Sequence, residues 1–281
     1  MRRTRSGLGL DLLNGLVASS QTGFGAFIAV YLTAQAWTQV HVGEALSLGT
    51  AVAMVSQLPA GALVDAVRSK RLVIAAGGTA VAASALLFAV WPRPLSVLAA
   101  EVLHGFASCV IAPAIAALSL ALVGEAGLGE RLGRNARFAS LGSACSAALL
   151  GWLGTYVSGR AVFWVTAALM LLGLTALRLV PPSGAERPGP RSARRERPAR
   201  GALRVLLDRR LLIFAAGIAL FSLSGAAMLP LVAGELTRSA GRSANLVIAA
   251  CIIAPQAAVA MLSPWVGRKA NRWGRRPLLL L

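Results

Sequence analysis

Eight stretches of roughly 18 to 29 residues in this chain are almost free of charge, and no other feature limits the fold so severely. They run approximately over 12–34, 45–64, 72–92, 95–123, 138–158, 161–178, 211–233 and 244–266. Asp11 closely precedes the first, and Glu101 interrupts the fourth. A bilayer core of about 30 Å takes roughly 20 apolar helical residues at 1.5 Å each. The runs are rich in Ala, Leu, Gly and Val and lack the period-2 alternation of a transmembrane barrel, whose segments are also shorter. Only helices and closed barrels satisfy their backbone in lipid. The expectation is an all-α integral membrane protein.

Composition agrees: 57% of the 281 residues are hydrophobic, 14% are charged, and the mean hydropathy is +0.70. Soluble domains run nearer 45–50% apolar and about 25% charged. The charge is lopsided, 28 Lys and Arg against 10 Asp and Glu, a formal net +18. A nucleic-acid binder would present that charge on a polar domain, and this chain has none, so nucleic acid is not expected as a partner. Its basic residues lie between the apolar runs. One set of alternate connections holds Arg2, Arg3 and Arg5, then Arg68, Lys70 and Arg71, then Arg131, Arg134 and Arg137. The same side holds ten arginines between 178 and 210, and Arg268, Lys269, Arg272, Arg275 and Arg276. The other side holds only Arg93, Arg160, Arg238 and Arg242. Positive residues stay inside, so the N-terminus is expected in the cytoplasm and the basic belt against an anionic inner leaflet. The first run is too long and too polar (Asn14, Gln21, Thr22) for a cleaved signal peptide.

Three parts follow: six helices over 1–180, an Arg- and Pro-rich cytoplasmic linker over 181–210, and a partial second bundle over 211–281. The linker's Pro, Gly and Arg and its lack of an apolar period before Leu203 read as a flexible connector. Cys109, Cys145 and Cys251 sit singly in apolar runs, His41 and His104 are far apart, and no metal or cofactor is expected. No Ser-His-Asp set, HExxH, phosphate loop or carboxylate pair is present, so no enzyme is expected.

Two stretches resemble each other. Gly61-Ala62-Leu63-Val64-Asp65-Ala66-Val67-Arg68-Ser69-Lys70-Arg71 and Gly267-Arg268-Lys269-Ala270-Asn271-Arg272-Trp273-Gly274-Arg275-Arg276-Pro277 lie 206 residues apart. Each follows the second run of its part, with Gly, an Asp or Asn four residues on, and a basic end, which marks an internal repeat of about six helices. The pattern resembles the G-x-L-a-D-r-x-G-r-k loop signature of the major facilitator superfamily and its weaker second copy. Ala66 and Arg68 replace the usual Arg and Gly, and Asn271 replaces Asp. The resemblance implies two six-helix bundles with a midplane site, a small-molecule substrate, and a secondary transporter in a bacterial inner membrane. It makes Gly61, Asp65, Lys70, Arg71, Gly267, Asn271, Arg272, Gly274, Arg275 and Arg276 a gating motif, in which Asp65 pairs with neighbouring arginines in one conformation only.

Leu98-Ala99-Ala100-Glu101-Val102-Leu103-His104-Gly105 is similar to the fourth-helix pattern of proton-driven exporters, with Glu101 for the Arg and His104 for the Gln. Gly142, Gly151 and Gly154 resemble those exporters' glycine-rich fifth helix, without its Gly-Pro core. An acid within a membrane run is costly unless it is neutral or wet. Glu101 and His104, three residues apart on one helix face, are therefore proton-coupling candidates. Asn14, Gln21, Thr22, Gln57 and Gln256, with Ser222 and Ser224, are expected to line the substrate cavity. Twelve helices complete a transporter of this kind, and this chain ends on the first residues of a ninth. A non-transporting membrane protein with a regulatory or scaffold role is the alternative.

Overall fold

The computed structural model describes residues 2–180 and 243–273, with isolated positions 213, 216, 217, 220, 232, 235 and 239 between them. The linker, the run over 211–233, and Gly274, Arg275 and Arg276 therefore lie outside the continuously described residues. Every described element is helical: α1 (Arg2–Gln21), α2 (Ala26–Ala34), α3 (Gln39–Ala66), α4 (Lys70–Val90), α5 (Pro94–Tyr156), α6 (Gly159–Ala176) and α7 (Ala244–Trp273). Among the described residues, six helices are long and apolar enough to cross a membrane, with α1 and α2 forming one span.

Two departures from the sequence reading have local causes. The first run breaks after Gln21, where Gly25 takes φ 74°, a left-handed backbone that glycine adopts without strain. The amides of Gly23 and Phe24 turn back to the carbonyls of Ser20 and Gln21, at 3.2 Å each. The fourth and fifth runs are one helical element of 63 residues, interrupted only at Gly124 (φ 72°). Residues 125–137 thus continue as helix, and Arg131, Arg134 and Arg137 are helical residues, which corrects their reading as loop charges. Elsewhere the starts follow capping rules. Thr38, Ser69 and Ser158 accept the amides of His41, Leu72 and Ala161 at 3.3, 3.4 and 3.1 Å.

The helices alternate in direction, so the N-terminus of α1, the α3–α4 turn, the Gly124 break and the end of α6 share one end of the bundle. Arg71 joins two of these by donating to the Leu177 carbonyl at 2.9 Å. At the opposite end Phe88 stacks on Phe163 with ring centres 5.0 Å apart, Tyr31 meets Phe163 edge-on at 4.9 Å, and the Tyr31 hydroxyl donates to the Phe88 carbonyl at 3.1 Å. Large apolar side chains such as Val55, Leu95, Leu172 and Met261 face outward, as a surface solvated by lipid chains allows.

Small residues carry the helix crossings, as is usual where lipid removes the hydrophobic drive for packing. The second arm of α5 crosses α7 at Gly151, where a Cβ would lie 2.6 Å from that of Ala249. It crosses α1 at Gly142, where a Cβ would strike the Gly15 carbonyl oxygen and lie 2.8 and 2.9 Å from its carbon and Cα. These are backbone atoms, so no rotamer change relieves the clash. Gly142→Ala is expected to lose about 1–3 kcal/mol of stability, read as an earlier transition on detergent-solubilised unfolding. An unchanged transition would mean the two helices are free to part.

Candidate solute cavity and the charged cluster beside it

A cavity of about 580 Å³ opens between α1, both arms of α5, and α7. Its polar lining is Asn14, Gln21, Thr22, Ser108, Asn135, Ser143 and Gln256, set among Val17, Ile111, Ile115, Leu132 and Ile252. Four of the residues singled out from sequence meet here: Asn14, Gln21, Thr22 and Gln256. The break after Gln21 places the Gln21-Thr22 pair in the cavity wall. Ser108 donates to Gln21 Oε1 at 3.2 Å, and His104 Nε2 lies 2.7 Å from the same oxygen. Phe24 stacks on the His104 ring at 3.7 Å. Thr22 and Ser143 both turn their hydroxyls to the Ala18 carbonyl, at 2.9 and 3.3 Å, and Asn14 donates to the Leu10 carbonyl at 2.7 Å. Gln57 stands apart, exposed on α3, its amide 3.6 Å from Cys109 Sγ.

Towards the basic end of the bundle the cavity meets a cluster that the sequence reading missed. Asp11 on α1 is fully buried, and two arginines of α5 hold its carboxylate. Arg131 Nη2 donates to Oδ1 at 2.6 Å, and Arg134 grips Oδ2 through Nη2 at 2.6 Å and Nε at 3.0 Å. Arg131 also donates through Nε to Asn135 Oδ1 at 2.8 Å, and Asn135 passes a hydrogen bond to Ser119 at 2.8 Å. The chain from Asp11 to Ser119 thereby ties α1 to both arms of α5. Arg131 is 6% exposed and Arg134 56%.

Glu101 and His104 share a helix but turn to different neighbours. Glu101 is 4% exposed, packs against Gly49 of α3, and leaves Oε1 with no hydrogen-bond partner among the described residues. Gly105 continues that crossing, since a Cβ there would sit 2.5 Å from the Gly49 carbonyl oxygen. In the loop motif, Lys70 caps the end of α3, donating to the carbonyls of Val64 and Val67, the latter at 2.7 Å. Asp65 is exposed and forms no ion pair among the described residues, and a Cβ on Gly61 would touch nothing. The second copy lies at the end of α7, where the side chains of Asn271 and Arg272 are outside the description.

The sequence profile of the Major Facilitator Superfamily matches residues 10–281. The chain belongs to this superfamily. Two uncharacterised MFS-type transporters of Mycobacterium tuberculosis, from strains CDC 1551 / Oshkosh and ATCC 25618 / H37Rv, are each 34% identical over 279 residues. The match covers 97% of this chain and 66% of theirs, so the chain spans a little less than two thirds of these relatives. Among solved structures, a bacterial homologue of the human drug peptide transporters PepT1 and PepT2 superposes with TM-score 0.58 at 16% identity, covering 87% of this chain and 53% of that one. Tetrameric PepTSo2 gives 0.59 at 18%, covering 79% and 54%. At such identities the likeness speaks for the superfamily fold alone.

Proposed function

We propose that this chain is part of a secondary active transporter that moves a small solute across a bacterial inner membrane by rocking two helical bundles about a shared cavity, coupled to protons. The observation that carries the reading is the cavity, where seven uncharged polar side chains gather among helices otherwise built for lipid. Polar residues inside a membrane bundle are expensive, and they gather where water or a ligand passes. The basic clusters at one end of the bundle support a cytoplasmic N-terminus and linker. Glu101 supports proton coupling. It is buried at its crossing with α3 with no cation paired to it among the described residues, so it suits a group that gains and loses a proton as α3 and α5 close and part.

The loop motif fits a hinge at the same end. Lys70 fixes the last turn of α3, Arg71 ties α4 to the end of α6, and Asp65 remains free to meet the second bundle. Asp65→Asn in the full-length protein is expected to slow transport several-fold and to shift the accessibility of cavity cysteines. Unchanged rate and labelling would make Asp65 an ordinary interfacial charge.

Proteoliposomes loaded with a pH-sensitive dye test the whole reading. Addition of the transported member of a solute panel is expected to drive proton flux that disappears in Asn135→Leu. Labelled-solute exchange without any proton flux would contradict proton coupling, and absence of both would contradict transport.

A further inference from the structure

Resting on that reading of the cavity, we propose that it takes an anionic solute and disfavours a cationic one, and that the Asp11–Arg131–Arg134 cluster sets this preference. The cluster joins one carboxylate to two guanidiniums, which stay charged in proteins, and so carries one net positive charge. It reaches the cavity through Asn135. Arg131 Nε occupies Asn135 Oδ1, while Asn135 Nδ2 gives one hydrogen to Ser119. Asn135 retains for a solute its second Nδ2 hydrogen, a donor beside a buried cation, while its oxygen is already turned to Arg131. Gln21 is arranged alike. Its Oε1 is engaged by Ser108 and faces His104, which leaves its Nε2 as a donor. Donors with a positive charge behind them suit a carboxylate or phosphate.

Among the described residues, the cavity lining offers a cation no carboxylate. Asp11 is held by both arginines, and Glu101 packs against Gly49 outside the cavity lining. The apolar runs over 211–233 and 244–266 contain no Asp or Glu in sequence. Arg131 and Arg134 are positioning residues in this account, since they act on the solute through Asn135 and through their field.

Three probes of one shape separate charge from fit: 3-phenylpropionate, 3-phenylpropan-1-ol and 3-phenylpropylammonium, each titrated by equilibrium dialysis against the purified full chain in nanodiscs. The expected order is carboxylate, alcohol, ammonium, with about tenfold between the extremes for one unit charge in a partly screened site. Asn135→Leu should narrow the ratio to what the arginines' field alone sustains. Arg134→Gln, at a half-exposed position that leaves the Asp11–Arg131 pair in place, should shrink the ratio several-fold while leaving the alcohol's affinity unchanged. Ammonium binding as tight as carboxylate, or a ratio indifferent to Arg134→Gln, overturns the proposal while alcohol binding keeps the cavity reading intact. If none of the probes binds, both fail.

Discussion

Asp11→Ala is expected to cost the helical bundle about 3–5 kcal/mol, the usual result of removing one partner from a buried ion pair. The loss arises less from the missing attraction than from what remains. Arg131, 6% exposed, would keep its charge with only the Asn135 amide and, at 3.4 Å, the Gly7 carbonyl for company. Arg134 can relax into solvent, so Arg134→Gln should lose far less. Unfolding in mixed micelles, followed by loss of helical signal, measures both. The double variant Asp11→Ala/Arg131→Met should recover part of the loss, since an apolar pair of similar bulk replaces the stranded charge. A single-variant loss under about 1 kcal/mol, the range of exposed ion pairs, would mean that the cluster is wet and contributes no fixed charge to the cavity.

Glu101→Gln is expected to abolish proton-driven accumulation in the full-length protein while sparing solute exchange that moves no net proton. The carboxamide fills the same space against Gly49, so the crossing of α3 and α5 should persist and stability should change little. Proteoliposome assays with and without a pH gradient separate the two activities. Normal pH-dependent accumulation by the variant would end the coupling role. Gly49→Val offers a different contrast. Its side chain would enter the space of the Glu101 carboxyl and force the helices apart, so it should damage fold and both activities together.

The membrane architecture was legible because run length and charge placement are properties of composition, which tertiary contacts cannot override in lipid. Asn14, Gln21, Thr22 and Gln256 were legible for the same reason, as polar residues stand out against Ala, Leu and Val. What failed needed long-range partners. Arg131 and Arg134 look like any loop charges until Asp11, 120 and 123 residues earlier, is brought against them. Their spacing of three, which puts both on one helix face, was the available signal, but it counts only once 125–137 is known to be helical. The charges from Glu125 to Arg137 hid that continuity by ending the apolar run at 123. Gln57 resembled the cavity residues in type and depth, and only the rotation of α3 places it elsewhere. Ser108 and Ser143 carried no signal at all, since serine is ordinary packing material in membrane helices.

The central claim is that the cavity is a solute path opened in turn to each side. It is tested most directly at Gln21→Cys in a full-length background with Cys109, Cys145 and Cys251 replaced by serine or alanine. Membrane-impermeant thiol reagents are applied separately to right-side-out and inside-out vesicles. The account predicts labelling from both sides, with rates that shift in opposite directions when a transported solute is added to one side. Labelling from one side only, at a rate indifferent to every solute in the panel, would contradict it.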